Sequence, residues 1–330
     1  MVVGKLNWWT IARGIAPQIV LYTLASTVAV LLHVLAQTPE IWGLPDDYDW
    51  FTHNIVLAGD DGIPFGAISA LGSALAIFLA FRNNSAYDRW WEARKIWGAL
   101  VNDSRSWARQ VVSWVSLDDC PPGTSEAEVH AVRRELVLRQ AAIVWGLGMH
   151  LRRQKGLLDR IAPMLPDGER ARYESVPNVI TALIIHQGRR VAQLRKLGFI
   201  EHFRHLDMDR MLTRMSDIQG KCERIKNTPV PRQYDEIPRI FVLVYGLLLP
   251  FGLVASLGWM TVPVATVVAL LFVLLEGSGR IIEDPFENRF MDTPMTALSL
   301  TIERDLRAAI DDELPPATTP ESHPDEHVVM

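Results

Sequence analysis

The chain alternates between long apolar stretches without charged residues and mixed stretches rich in charge. The uncharged apolar stretches cover residues 14–39, 62–81 and 240–275. A helix needs about 20 apolar residues to span a membrane, so the first two stretches fit one helix each and the third is close to two. A turn near Gly258 and Pro263, with the second helix continuing past Glu276, makes the third stretch a helical hairpin. The pattern predicts four transmembrane helices; buried core helices of a large soluble protein are the alternative.

Lysine and arginine indicate the orientation, because they accumulate in cytoplasmic loops. The connection over residues 40–61 has neither, but it has six acids: Glu40, Asp46, Asp47, Asp49, Asp60 and Asp61. The basic residues flank the first two apolar stretches at Lys5, Arg13, Arg82, Arg89, Arg94 and Lys95. These charges predict that both termini and residues 82–237 are cytoplasmic, and that two short connections face outwards.

The segment between the second and third apolar stretches shows apolar residues at helical spacing and no alternating strand pattern. Turn residues interrupt it at Pro121–Gly123 and at Pro163–Gly168. The end of the chain is acidic and rich in proline, which is typical of disorder. The predicted class is an all-α membrane protein. Its predicted segments are a cytoplasmic arm with helices 1 and 2 (1–81), a helical cytoplasmic region (82–237), helices 3 and 4 with a following helix (238–312), and a disordered tail (313–330).

Composition and motifs exclude several functional classes. The net charge of −5 is mildly acidic and gives no nucleic-acid footprint. Cys120 and Cys222 are too isolated for a disulfide framework or a zinc site. The sequence has no HExxH, no phosphate loop ending in Lys-Ser/Thr and no nucleophile elbow, and the GxG in EGSGR follows an apolar helix rather than a strand. We therefore expect no enzyme and no bound cofactor.

The second apolar stretch is unusual in its small residues. Nine of residues 66–80 are Gly, Ala or Ser. Small residues let helices approach closely in lipid, so this helix is expected to lie centrally in an assembly. Two columns at i, i+4, i+8 compete for a lining role: Ser73, Ile77, Phe81 and Leu71, Leu75, Leu79. An apolar ring can gate a pore by dewetting, whereas ordinary helix packing explains either column equally well.

A dense charged and aromatic band follows Phe81 directly. It contains Arg82, Asp88, Arg89, Trp90, Trp91 and Glu92. By helical rise, Trp90 lies about 13 Å beyond Phe81. That distance favours packing of the tryptophans below the membrane over an interfacial belt, with the charges forming ion pairs between helices. We expect one continuous helix to cross this boundary.

Two segments together resemble the bacterial branch of the bestrophin family. They are FRNNSAYDRWWEARKIWG (81–98) and EGSGRIIEDPFENRFMDTP (276–294), and the four-span layout agrees over roughly residues 5–310. The resemblance implies a homopentameric ion channel in the bacterial inner membrane, with self-association, lipid and monovalent ions as its partners. It implies a pore neck at Ser73, Ile77 and Phe81. Ser73 departs from the bulky apolar residue usual in the family, so we expect a shorter hydrophobic barrier.

The resemblance also implies a second constriction at the cytoplasmic exit. Counting back from Cys222 places it at Leu206, with Met208 as a near competitor and core packing as the ordinary explanation. Animal members bind calcium after the fourth span in an acidic run. Here Arg289 interrupts the acids Asp284, Glu287 and Asp292, and calcium needs about six to eight oxygen ligands. No metal is therefore expected, and these acids are predicted to pair with Arg280, Arg289 or the basic band.

The sign of the transported ion stays open. Animal members conduct chloride, and bacterial members have been associated with cations. Five copies of Asp60 and Asp61 would form an outer acidic ring favouring cations such as sodium, whereas an Arg82 ring would favour anions unless Asp88 or Glu92 neutralised it. Two other classes remain: a secondary transporter, for which no second, matching half is present, and a membrane-anchored scaffold or sensor.

Overall fold

The computed structural model describes residues 8–37, 64–228, 232–289, 291–316, 322–323 and 326–329. The helices are α1 Trp8–Gln37, α2 Phe65–Trp114, α3 Glu126–Leu151, α4 Leu157–Ile161, α5 Val179–Lys196, α6 His202–Asn227, α7 Arg232–Leu257, α8 Thr261–Glu283 and α9 Met295–Ala308. Short 3₁₀ turns lie at Leu117–Asp119, Ala162–Met164, Arg170–Tyr173 and Gly258–Met260. Strands β1 Ser322–His323 and β2 Glu326–Val329 pair antiparallel. The prediction of a helical fold is confirmed; disorder over residues 313–330 stays a prediction.

Three stretches of the described chain are long and apolar enough to cross a membrane: Gly14–Leu35, Phe65–Trp114 and Glu236–Glu283. The third stretch contains both α7 and α8. The break between these helices is the 3₁₀ turn at Gly258–Met260, and Gly258 has a φ of 50°. That left-handed conformation costs glycine little, so the predicted hairpin turn forms at Gly258. Pro263 falls in the first turn of α8, where proline is tolerated.

The chain divides into two compact units. The apolar unit is Leu6–Asp88 with Val230–Glu283, and the polar unit is Met1–Lys5, Arg89–Pro229 and Asp284–Met330. Helix α2 contributes residues to both, and it runs unbroken through Phe81, as predicted.

Close helix approach characterises the apolar unit, in which α1, α7 and α8 contact one another. A side chain on Gly246 of α7 would overlap the ring of Tyr22 on α1. Thr23 and Thr266 lie within hydrogen-bond distance across α1 and α8, with 3.4 Å between their hydroxyl oxygens. Small residues at such crossings allow van der Waals contact along the backbones, which is the main packing interaction available between helices in lipid.

One large hydrophobic core supports the polar unit. Trp97 and Trp107 of α2 are fully buried in it, together with Leu136 and Leu147 of α3. Helix α3 begins at a capping box: the Ser125 hydroxyl accepts from the Glu128 N–H at 3.2 Å, and the Glu128 carboxylate accepts from the Ser125 N–H at 2.8 Å. This reciprocal pair satisfies two backbone donors at the helix start.

A buried carboxylate holds α9 against α3 in the polar unit. The Glu303 side chain is 2% exposed and accepts from the Trp145 indole N–H at 2.8 Å. It also accepts from Arg160 at 3.2 Å and from Arg307 at 3.0 Å. The Arg160 guanidinium lies 3.9 Å from the centre of the Trp145 ring, a cation–π distance. The charge of Glu303 is therefore fully compensated.

A second buried network centres on Arg139 of α3, which is fully inaccessible to solvent. Its guanidinium donates to Glu169 at 2.7 Å and to Gln187 at 2.8 Å. The His186 ring places Nδ1 2.8 Å from Glu169 Oε1, and its Nε2 lies 3.3 Å from Arg172 Nη1. Burial, and after it the positive charge of Arg139, lowers the pKa of His186. The imidazole is thus held neutral in its folded environment.

Candidate functional site

Within the apolar unit, helix α2 has one packed face. Its buried residues repeat at alternating steps of four and three: Ile68, Gly72, Leu75, Leu79, Arg82 and Ala86. Such a repeat keeps one seam of a helix turned towards its neighbours. Ile68 packs with Leu249, Leu253 and Ala265 of α7 and α8.

Gly72 shows how tightly this face is packed. A side chain at Gly72 would overlap the Tyr245 side chain of α7, so only glycine permits this approach of α2 to α7. Two members of the column Leu71, Leu75 and Leu79 belong to the same seam: Leu75 and Leu79 are 6% and 1% exposed and cluster with Val242, whereas Leu71 is 56% exposed.

The other column lies on the opposite, unpacked face of α2. Ile77 is 59% exposed and Phe81 is 71% exposed. Ser73 is also exposed, and its hydroxyl donates to the Ser69 carbonyl at 2.8 Å. Because this bond is made within the helix, it leaves the hydroxyl oxygen as an acceptor at the surface. The structure thus distinguishes the two columns: Leu75 and Leu79 are used in packing, whereas Ser73, Ile77 and Phe81 are available to solvent, lipid or another subunit.

Arg82, the first residue after Phe81, is buried on the packed seam rather than on the exposed face. Its Nη2 lies 3.3 Å from Glu283 Oε2, and its Nη1 donates to the Glu276 carbonyl oxygen at 3.1 Å. The carboxylate of Glu276 is 3.9 Å from Arg82 Nη1 and also pairs with Arg280 at 2.5 Å. Within the described residues, Arg82 pairs with Glu276 and Glu283 of α8 and not with Asp88 or Glu92, which the sequence left open as its partners. Two arginines and two glutamates thus form a linked quartet, in which Arg280 is 37% exposed and the other three side chains are 6–14% exposed.

Gly279 makes this quartet possible. A side chain there would overlap Asn83 and would meet Arg82 Nη1 at 3.3 Å. Asn83 in turn donates from Nδ2 to the Leu275 carbonyl at 2.9 Å. The EGSGR segment, which carries no weight as a phosphate loop, is therefore a packing motif. Its glycine lets the polar side chains of α2 reach the backbone of α8.

The band beyond Asp88 organises the polar unit. Arg89 donates to the carbonyl oxygens of Ile225 and Thr228 at the end of α6, the latter at 2.8 Å. A guanidinium is favoured at this helix end because unpaired carbonyls and the helix dipole make it negative. Glu92 pairs with Arg224 of α6 at 2.7 Å.

The adjacent tryptophans fix a second contact in the same unit. Trp90 donates its indole N–H to the Met291 carbonyl at 2.8 Å, and the Trp90 and Trp91 rings stack with centroids 6.1 Å apart. Within the polar unit, this band therefore contacts α6 and the loop that precedes α9.

Asp88 differs from the rest of the band. Its side chain is exposed on α2, and Asn84 donates to its Oδ2 at 3.4 Å. Within the residues that the structure describes, it forms no ion pair.

The two candidates for a cytoplasmic constriction differ in burial. Leu206 is 41% exposed in the first turns of α6, whereas Met208 is fully buried in the core of the polar unit. Met208 is therefore a packing residue, and Leu206 has a free surface. The proposed outer ring residues Asp60 and Asp61 lie outside the described residues.

The loop after α8 is held by hydrogen bonds between its own residues. The Arg289 N–H donates to Asp292 Oδ2 at 2.9 Å, and the Thr293 N–H donates to the Pro285 carbonyl at 3.1 Å. Burial raises the pKa of Asp292, and its backbone hydrogen bonds oppose that rise. Glu287 pairs with Lys226 of α6 at 2.5 Å, not with the partners predicted for it. Among the described residues, no group of three or more His, Cys, Asp or Glu side chains is placed to hold a metal ion.

These features define a multi-helix membrane protein whose second helix packs one face and leaves a small-residue face open. The chain belongs to the bacterial and fungal bestrophin family, whose sequence model matches residues 8–308.

Relatives and solved structures agree with this membership. A voltage-dependent anion channel-forming protein of Ralstonia nicotianae is 37% identical over 246 residues, covering 73% of this chain and 76% of the relative. The voltage-dependent anion channel-forming protein YneE of Escherichia coli O157:H7 is 32% identical over 297 residues, which cover 89% of this chain and 90% of the relative. The crystal structure of a bacterial bestrophin homologue from Klebsiella pneumoniae matches with a TM-score of 0.74 at 27% identity, covering 91% of this chain and 99% of that one.

Proposed function

We propose that this protein is a passive channel for monovalent ions, assembled as a homopentamer in the bacterial inner membrane, and not an enzyme. Each subunit would contribute four transmembrane helices and would have both termini in the cytoplasm. Family membership and the names of the relatives, which describe anion channel-forming proteins, support a channel.

The observation that carries the proposal is the two-faced character of α2. Its buried seam packs against α7 and α8, while Ile77 and Phe81 on the opposite face are 59% and 71% exposed. In a symmetric assembly, such exposed apolar side chains would form rings around a pore, and an apolar ring can close a pore by excluding water. The small residues beside them allow the helices of neighbouring subunits to approach closely. In the proposed pore, Ile77 and Phe81 form the apolar neck, and Ser73 lines its outer end.

Charge on the open face favours a cation such as sodium. Arg82 is turned away and balanced by Glu276 and Glu283, so it presents little net field. Asp88 follows Phe81 by seven residues, about 10 Å along the helix and within about 20° of the same face. Five exposed carboxylates just inside the neck would attract cations and repel anions.

Reconstitution into planar bilayers under a sodium chloride gradient tests both parts. A current that reverses near the sodium equilibrium potential supports a cation channel, and reversal near the chloride potential keeps the channel but refutes the role of Asp88. Saturable coupled flux would indicate a transporter, and silence would leave a scaffold or sensor.

Matched variants locate the conduction path. Phe81→Ala removes a ring of the proposed neck and should raise single-channel conductance. Leu271→Ala removes a similar volume at a site on α8 that is 55% exposed, and should leave conductance unchanged. Equal single-channel conductance of the two variants would contradict the proposal that Phe81 lines the neck.

A further inference from the structure

A cavity of about 400 Å³ opens in the polar unit. It lies where α3 and α6 end. Its lining residues are His150, Leu151, Arg153, Gln154, Leu157, Glu223, Lys226 and Asn227. The volume is within the range of small-molecule sites, and the lining combines charged, amide and apolar groups.

Arg153 occupies an unusual backbone position at this cavity. Helix α3 ends in a Schellman motif, in which the Gln154 N–H donates to the Met149 carbonyl at 2.9 Å and the Arg153 N–H donates to the His150 carbonyl at 3.0 Å. The residue at the position of Arg153 is usually glycine, because it must be left-handed. Arg153 has a φ of 53°. An arginine here is strained, and strain of this kind is retained where the side chain has a use.

The Arg153 guanidinium has no ion-pair partner among the described residues, although it lines the cavity. The other basic residue there is already used: Lys226 pairs with Glu287 at 2.5 Å. Arg153 is thus the positive group left to receive an anion, and a guanidinium matches a carboxylate with two parallel hydrogen bonds.

Glu223 supplies the opposite charge. Its Oε1 accepts from Asn178 at 2.9 Å and from Gln219 at 2.8 Å, which fix the carboxylate in place. His150 Nε2 is 3.7 Å from the same oxygen. Its Oε2 accepts no hydrogen bond from the described residues. Glu223 also lies in the last turns of α6, where the negative end of the helix dipole favours a bound cation.

We propose that this cavity binds a free α-amino acid from the cytoplasm. Arg153 receives the α-carboxylate, Glu223 receives the α-ammonium, and the side chain lies towards Leu151 and Leu157 with the amides of Gln154 and Asn227 in reach. A zwitterion is the ligand class that uses both charges, because an anion alone leaves Glu223 unpaired and a cation alone leaves Arg153 unpaired. This site belongs to the polar unit and does not depend on ion conduction.

Calorimetric titration of the purified full-length protein in detergent tests the proposal. L-alanine and L-glutamine should bind. Propionate, which lacks the ammonium, and ethylamine, which lacks the carboxylate, should bind at least about 30-fold more weakly, as expected when one charge of a pair is left unmatched. Absence of binding by both amino acids, or propionate binding as tightly as L-alanine, would overturn the proposal.

Variants assign the two charges. Arg153→Gln should abolish binding of L-alanine, and Arg210→Gln, at an arginine whose side chain is 78% exposed elsewhere on α6, should leave it unchanged. Glu223→Gln keeps an acceptor for Asn178 and Gln219. It should weaken the binding of L-alanine without weakening the binding of propionate. Wild-type affinity in Arg153→Gln or Glu223→Gln contradicts the assignment.

Strain gives an independent readout. Arg153→Gly restores the residue preferred in a left-handed position, so the unliganded protein should melt at a higher temperature while amino-acid binding is lost. A purely structural Arg153 would instead lower the melting temperature when removed, and that result would refute a binding role.

Discussion

Replacement of Arg82 by glutamine tests whether this arginine is a structural charge or a pore charge. Its side chain is 6% exposed and pairs with Glu276 and Glu283, whose side chains are 10% and 14% exposed. The change removes the guanidinium that both carboxylates contact, while Glu276 keeps its contact with Arg280. Arg82→Gln should therefore destabilise the fold without altering ion selectivity.

The magnitude follows from the burial of the quartet. Removing one partner of a buried pair costs about 3–5 kcal/mol, most of it from the charge left unpaired. We expect about 3 kcal/mol, because Glu276 keeps its contact with Arg280 at 2.5 Å. The double variant Arg82→Gln/Glu283→Gln removes one charge of each sign and should recover at least about 1 kcal/mol of that loss.

Thermal unfolding in detergent measures the stability effect, and the reversal potential under a salt gradient measures selectivity. Lys95→Gln is the matched control, since Lys95 is an exposed cation on the same helix. Its effect on stability should stay within about 0.5 kcal/mol. The interpretation fails if Arg82→Gln is as stable as Lys95→Gln, or if it shifts the reversal potential towards that of the cation.

Three further outcomes are expected. Ser73→Ile adds an apolar ring to the proposed neck and should lower single-channel conductance; unchanged conductance would remove Ser73 from the path. Glu303→Leu should cost about 2–3 kcal/mol in thermal unfolding, because the Trp145 N–H loses its acceptor and two arginines lose a buried partner. The cost is below that of a fully buried pair, because Arg160 is 38% exposed and Arg307 keeps Asp312 at 2.9 Å. Loss of the exposed Arg105–Asp305 pair should cost under about 1 kcal/mol. The pKa of His186 is lowered in the folded state, so the unfolded chain binds this proton first as the pH falls. Stability should be constant above about pH 7 and should fall below about pH 6.5; melting curves of His186→Gln at pH 7.5 and 5.5 should show a smaller difference than those of the parent.

The sequence alone indicates the helical layout because apolar length and helical spacing are local properties. The turn at Gly258 and the unbroken helix through Phe81 follow from residues close together in the chain. The exposed column does not follow in this way, because the pattern could not separate Ile77 from Leu75. Both columns contain large apolar residues at equal spacing, and only the packing partners on α7 and α8 distinguish them.

Partners distant in sequence account for what was missed. Arg82 and Glu276 are 194 positions apart, and the nearer acids Asp88 and Glu92 offered a simpler pairing that the described residues do not form. Gly279 could have been noticed in the sequence, because a glycine near the end of an apolar helix indicates a packing or functional role. Arg153 carried none, because its left-handed backbone is visible only once the end of α3 is built.

The division of α2 into a seam and an open face has a consequence for natural and engineered variation. Substitutions at Gly72, Leu75 and Leu79 should reduce the amount of folded protein in the cell, because they disturb contacts within one subunit. Substitutions at Ser73 and Ile77 should leave abundance close to normal while changing what the assembled protein does. Variant libraries scored separately for abundance and for ion flux would therefore sort neighbouring positions of a single helix into two different classes of phenotype.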